Sequence, residues 1–297
     1  MFRKIIGFLI AARGWFWGRI LLRELSKCFF YGTFWSRLIW RGCSYKPVKG
    51  NAVHGEMKKF IFMILLCGVL SVMSSDVQAA PGGPPSDALW WVTSGCAYAQ
   101  KYVHTSVPCE KVNLKRGYAL VKDLQSKTQF LLVPLERIVG IESPEILEPN
   151  SINYWRPAWK ARKYISDRAG KELPDDDIGL AVNSSYSRTQ NQLHIHIDCL
   201  KPEVIKALKG NDEEETGKWF TIHFPQPLHG YQALYVDSLK TDPFKLVAED
   251  TQHMARKTIA VAHVDDRFII LARSANLKNG DVGSSEELLD HECKVAN

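Results

Sequence analysis

Residues 57–80 divide this 297-residue chain and set the conditions under which the rest must fold. Met57-Lys58-Lys59 is a short basic start. An apolar run from Phe60 to Leu70 follows, and then a polar stretch closing on Val77-Gln78-Ala79-Ala80, whose small residues suit a signal peptidase. The apolar core of about eleven residues falls short of the roughly 20 needed to cross a bilayer as a helix. The segment reads as an export signal, or as a membrane anchor if it stays uncleaved. A buried core helix is the competing reading; the basic start and the lack of amphipathic alternation speak against it.

Residues 1–56 carry Trp15, Trp17, Trp35 and Trp40 among scattered arginines with no clear period. They read either as a membrane-surface segment or as an upstream translation outside the working protein, and the fresh signal at Met57 favours the second. The charge is lopsided. The first 80 residues carry a net +9, so the chain's formal +6 leaves −3 for residues 81–297. A slightly acidic folded part argues against a nucleic-acid-binding surface.

Export implies an oxidising compartment, and four cysteines follow the signal: Cys96, Cys109, Cys199 and Cys293. An even count there suggests two disulfides, with three possible pairings. Cys96 with Cys109 would close a short loop, and Cys199 with Cys293 would tie a central strand to the tail. No CxxC or Cys/His cluster has zinc-ligand spacing, so neither a metal nor a cofactor is expected.

Pro81-Gly82-Gly83-Pro84-Pro85 marks a linker over residues 81–86, releasing a domain over residues 87–297. The pattern predicts a helix over 87–103, a strand pair over 117–123 and 128–134, and a helix over 153–169 ended by Gly170. Strands over 178–183 and 192–200 follow. Strand, strand, helix, strand, strand is an α+β unit with an antiparallel sheet and flanking helices. The remainder echoes that order: a strand over 230–236 opening on the same Gly-Tyr as 117–118, a helix over 243–257, and a hairpin of 258–264 with 267–273 around Asp265-Asp266. A degenerate second copy of the unit, without paired histidines, is one reading.

Chemistry concentrates in Gln192-Leu193-His194-Ile195-His196-Ile197. Residues two apart on a strand share a face, so His194 and His196 face an open site while Ile195 and Ile197 pack inward. Asp198 is read as pointing to the opposite face, leaving the pair without acidic company for a metal. Arg188-Thr189-Gln190-Asn191 supplies a guanidinium, a hydroxyl and two amides, the donors that phosphoryl oxygens require. Asn183 closes the adjacent strand, ready to orient a substrate or a histidine. His291 reads as tail geometry beside Cys293, Asp175-Asp176-Asp177 and residues 212–215 as solvated loops, and Trp90-Trp91 as core. His223 and His229 flank a Pro-containing loop with no recognisable spacing.

The segment from Asn183 through Arg188 to Ile197 resembles the histidine-triad motif of alternating histidines and apolar residues. Gly117-Tyr118 to Lys122-Asp123, Glu142-Ser143-Pro144, Arg188 to Cys199, and Asp290-His291-x-Cys293 together resemble the bacterial CDP-diacylglycerol pyrophosphatases, from about Cys96 to Cys293. The resemblance implies a histidine-triad-like (HIT-like) fold and a metal-free hydrolase that releases CMP and phosphatidate from CDP-diacylglycerol at the periplasmic face of the inner membrane. It implies that His194 attacks the α-phosphorus to form a cytidylyl-histidine. His196 would then bond the phosphate or assist the leaving group, with Arg188, Thr189, Asn183 and Gln192 around the phosphates. The first triad position here is Gln192, which can hydrogen-bond but cannot titrate near neutral pH. Two other readings are weighed: a hydrolase or transferase on soluble nucleotide diphosphates, and a disulfide-stapled envelope binding protein without turnover.

Overall fold

A computed structural model describes residues 86–211, 214–248 and 253–296. The extension over 1–56, the signal or anchor over 57–80 and most of the linker lie outside the described residues. Among the described residues no helix is long and apolar enough to cross a membrane.

Helix α1 (Ala88–Tyr102) leads into strand β1 (Lys111–Asn113), then β2 (Tyr118–Lys122) and β3 (Phe130–Pro134). Two short helices, α2 (Trp155–Lys160) and α3 (Lys163–Ala169), precede β4 (Ile178–Val182) and β5 (Ile195–Cys199). Helix α4 (Pro202–Lys209) connects to β6 (Trp219–Ile222) and β7 (Tyr231–Val236). Helix α5 (Pro243–Ala248) then precedes the hairpin of β8 (Lys257–Val264) and β9 (Arg267–Ser274). All nine strands form one antiparallel sheet in the order β1-β2-β3-β5-β4-β8-β9-β7-β6.

The α+β class and antiparallel sheet expected from the pattern are present. The helix expected over 153–169 breaks in two at Ala161 and Arg162, and Gly170 ends it as expected, at a left-handed φ of 71°. That conformation costs a glycine nothing. The expected helix over 243–257 is shorter: its last residue, Lys257, already opens β8. Strand β5 is also shorter than 192–200, because Gln192 to His194 precede the ladder. Three elements lie outside the expected set: β1, α4 and β6.

The sheet has two apolar faces. On one, Ile195 and Ile197 join Leu180, Val182, Ile259 and Val261 beneath Trp155 and Ile165 of the helices. On the other, Ala181, Ala260 and Ala262 lie under Leu200, Val204 and Leu208 of the α4 region and under Leu288 and Leu289 of the tail. Gly179 shows how close that tail comes: a Cβ there would lie 2.4 Å from Leu200 Cδ2 and 3.0 Å from Leu289 Cδ2.

Polar stitches fix the tail across the seam between β4 and β8. The Ser285 hydroxyl lies 3.0 Å from the Val182 carbonyl and 2.8 Å from that of Ile259, and the Ser285 N–H donates to Thr258 Oγ1 at 2.8 Å. Farther on, the Asp290 N–H donates to the Cys199 carbonyl at 2.8 Å. Cys199 is bonded to Cys293, and Cys96 to Cys109, one of the three pairings left open by the cysteine count. Trp91, read as core, is 70% exposed on α1; the sequence pair Trp90-Trp91 puts two successive residues on different helical faces.

The two disulfides close loops of very different length, 13 and 94 residues. Loop-closure entropy predicts the larger stabilisation for the longer loop. Replacing Cys199 and Cys293 by Ser should lower the unfolding free energy in urea by about 2–5 kcal/mol, more than replacing Cys96 and Cys109. An equal or smaller loss would show that hydrogen bonds and apolar packing hold the tail without the disulfide.

Candidate active site

The alternation of β5 determines the site. Ile195, Ile197 and Cys199 face the helical core, so the same period of two turns His194, His196 and Asp198 together to the tail side. This corrects the expectation that Asp198 points away from the histidines. His194 and His196 are buried, with ring centroids 4.7 Å apart in an edge arrangement.

His194 Nδ1 lies 2.7 Å from the main-chain carbonyl of Gln192. A carbonyl only accepts, so Nδ1 carries the proton and Nε2 keeps its lone pair. Burial is the main cause that pushes the imidazolium of His194 down to about 4, with His196 and the Arg188 charge acting the same way against the Gln192 bond and Glu286. A ring that stays neutral at pH 7 with its lone pair on Nε2 is a competent nucleophile.

Gln192, expected at the phosphates, is fully buried. Its Nε2 donates to the carbonyls of Pro134 at 3.0 Å and Glu136 at 2.9 Å. Its side chain clamps the end of β3, and its backbone orients His194. Asn183 is likewise engaged: its Nδ2 donates to Glu286 Oε2 at 2.9 Å, and its Oδ1 accepts from Ser284 Oγ at 3.0 Å. Arg188 pairs through Nη1 with Glu142 at 2.7 Å, while its Nε is buried without a partner among the described residues. Gly140 makes that pair possible, since a Cβ there would lie 2.6 Å from Nη1. Thr189 is exposed, its carbonyl accepting from the Ser86 N–H at 2.9 Å. The loop carrying Arg188 is thereby stitched to the start of α1.

The tail contributes what the sequence pattern did not reveal. Glu286 Oε1 lies 3.2 Å from His196 Nδ1 and 3.3 Å from His291 Nε2. His291 Nδ1 lies 2.9 Å from Asp198 Oδ2. Asp198, fully buried, also accepts from Ser126 Oγ at 3.1 Å, Thr128 Oγ1 at 2.5 Å and the Cys199 N–H at 2.9 Å. His291, expected only to shape the tail, is thus a bridge between two carboxylates. Hydrogen bonds to Asp198 and Glu286 push its imidazolium up to about 10. The ionised form of Glu286 is favoured in spite of burial, through the His196 charge and bonds from His291 and Asn183. Gln129 Nε2 reaches His196 Nδ1 at 3.0 Å and Asp123 Oδ2 at 3.1 Å.

Behind this network a cleft of about 490 Å³ is lined by Glu286, Glu287, Asp290, His291 and Glu292 with Lys201. Its acidity is wrong for phosphates. A larger, basic cleft of about 620 Å³ beside α2 and α3 contains none of the site residues. Arg188 and Thr189 line neither cleft.

The sequence profile of the CDP-diacylglycerol pyrophosphatase family matches residues 84–297. A CDP-diacylglycerol pyrophosphatase of Yersinia pestis is 37% identical over 219 residues, covering 71% of this chain and 85% of that protein. This chain belongs to the CDP-diacylglycerol pyrophosphatase family. The family hydrolyses CDP-diacylglycerol in phospholipid metabolism, and the buried histidine pair, Arg188 and the Glu286 network all fall within the matched residues.

The two histidine shifts give opposite limbs to a stability profile. His291 is raised from 6.5, so its stabilisation is complete below about 6.5 and is lost as pH rises through about 10. His194 is lowered from 6.5, so its contribution is complete above about 6.5 and is lost as pH falls through about 4. Melting temperatures measured across this range should fall on both sides, and His291→Gln should flatten the alkaline limb while leaving the acid limb. An alkaline limb unchanged by His291→Gln would contradict the bridge.

Proposed function

We propose that hydrolysis of CDP-diacylglycerol in this chain runs through a cytidylyl-histidine on His194. The observation that carries the reading is the His194–Gln192 carbonyl bond, which fixes the tautomer with a lone pair on Nε2. Two buried nitrogens without partners among the described residues, Arg188 Nε and His196 Nε2, support it. Unsatisfied buried donors are costly, and phosphoryl oxygens of a bound substrate would satisfy them.

In the first step His194 Nε2 attacks the α-phosphorus, the bond to the bridging oxygen breaks, and phosphatidate leaves. In the second, water attacks the same phosphorus, the P–N bond breaks and CMP is released. Dividing the displacement in two lowers each barrier. Arg188, with the exposed Thr189 hydroxyl beside it, would stabilise charge on the phosphoryl oxygens. The Arg188–Glu142 pair keeps the guanidinium oriented before substrate arrives.

The wider reading is a HIT-like unit with a degenerate second copy. The strand order supports it: β2-β3-β5-β4 continues into β8-β9-β7-β6, the same order reversed about the central β4·β8 pair. On that correspondence β7 matches β3 rather than β2, so the shared Gly-Tyr pair is coincidental. The lipid substrate and the signal-like residues 57–80 support work at the periplasmic face of the inner membrane, with the apolar segment serving as signal or anchor.

CMP release from CDP-diacylglycerol by the full-length protein tests the assignment. His194→Ala should lower kcat by on the order of 10⁴-fold or more, and Arg188→Ala by about 10²–10³-fold. Equal release by wild type and His194→Ala would remove His194 from the chemistry. Soluble CDP-alcohols in the same assay show whether the diacyl moiety is required.

A further inference from the structure

His196 Nδ1 has two neighbours that ask opposite things of it. Gln129 Nε2, a donor only, lies 3.0 Å away, and Glu286 Oε1, an acceptor when ionised, lies 3.2 Å away. A lone pair on Nδ1 would accept from Gln129 but face a carboxylate oxygen. A proton on Nδ1 would bond Glu286 but face an amide N–H. Gln129 has other acceptors for its two protons, Asp123 Oδ2 at 3.1 Å and Glu286 Oε1 at 3.4 Å. A bond to an ionised partner is roughly twice as strong as a neutral one. The proton therefore belongs on Nδ1, directed at Glu286.

We propose that Glu286 is the positioning residue for His196: it holds the Nδ1 proton, fixes the ring, and stabilises the doubly protonated form whose Nε2–H meets the substrate. The proposal rests on the covalent reading above and supplies the proton path that Gln192 cannot.

Charge counting supports it. Glu286 and Asp198 are two carboxylates, and His291, bridging them through both ring nitrogens, is one lasting cation. Among these three groups negative charge exceeds positive by one, and Asp123, which touches the group through Gln129, adds to that excess. His194 does not supply the missing positive charge, because burial favours the neutral ring. Arg188 is matched by Glu142. His196 is the remaining member of the cluster able to take the proton, and its buried Nε2 has no partner among the described residues.

Glu286 is itself held rigidly. Asn183 grips its Oε2, the Ser285 stitches fix the chain before it, and Glu287 after it accepts from Tyr231 Oη at 2.7 Å and pairs with His229 Nδ1 at 2.8 Å. The protons then balance. As the P–O bond to phosphatidate breaks, His196 Nε2 gives its proton to the departing oxygen. As water attacks the cytidylyl-histidine, the now neutral Nε2 takes a proton from that water, the P–N bond breaks, and His194 recovers its lone pair. Nδ1 keeps its proton on Glu286 throughout.

The test uses full-length protein with ¹⁵N-labelled histidine, the His196 ring being assigned by comparison with His196→Gln. One-bond N–H couplings at neutral pH should show a proton on His196 Nδ1 in the wild type. In Glu286→Gln that proton should be lost from Nδ1, where the Gln129 amide then donates. In parallel, Glu286→Gln should lower kcat for CMP release by about 10²–10³-fold with KM little changed, and Glu286→Asp should recover part of it. A wild-type Nδ1 without a proton overturns the proposal, and that spectrum decides even if the variant does not fold. Identical ring protonation in wild type and Glu286→Gln also overturns it. A wild type that releases no CMP would instead sink the functional reading, while the spectrum still judges the pairing.

Discussion

The bond from His194 Nδ1 to the carbonyl of Gln192 is the constraint on which the site depends. It chooses the tautomer and leaves the lone pair on Nε2; in the proposed reaction it also offers an acceptor for the positive charge that develops once Nε2 bonds phosphorus. The carbonyl is available because Gln192 to His194 precede the β5 ladder, so this oxygen is not consumed by strand pairing. The Gln192 side chain, tied to the carbonyls of Pro134 and Glu136, holds the backbone in that position. Gln192 is therefore compatible with the proposed chemistry: its backbone carbonyl orients His194, and its side chain holds that backbone in place.

The rest of the architecture keeps two histidines, two carboxylates and the cationic ring of His291 in register. Strand β5 packs its isoleucines into the helical core and turns its polar residues to the tail. The tail is stapled over the β4·β8 seam by Ser285 and returned to β5 by the Cys199–Cys293 bond. Burial makes each of these charges costly unless paired. The pairs close in sequence: His291 between Asp198 and Glu286, and Glu286 against His196. A network of this kind is rigid when complete, which suits the proposed presentation of one nitrogen to one phosphorus.

Much of this was legible from residue order. The apolar runs of β2, β3, β4, β8 and β9 and the alternation of β5 identify the sheet, since period two is the strongest strand signal. The cysteine count allowed the observed pairing without selecting it. Asp198 was misjudged although the same alternation places it with His196. Glu286 was invisible for a physical reason: nothing local distinguishes it from Glu287 in a polar tail, and its role exists only because the chain folds back across the sheet. His291 was masked by its neighbour Cys293, which offered a sufficient structural explanation for the motif. The expected helix over 153–169 split because a periodic apolar pattern does not report a local break at Ala161 and Arg162.

Trapping the proposed covalent bond between His194 and phosphorus is the most direct test. Full-length protein mixed with CDP-diacylglycerol labelled at the α-phosphorus, then quenched in alkali within a turnover, should carry the label on the peptide containing His194. The linkage should be stable in base and labile in acid, as a phosphoramidate is. CMP formed at full rate with no labelled protein at any time, or label on a residue other than His194, would contradict the account.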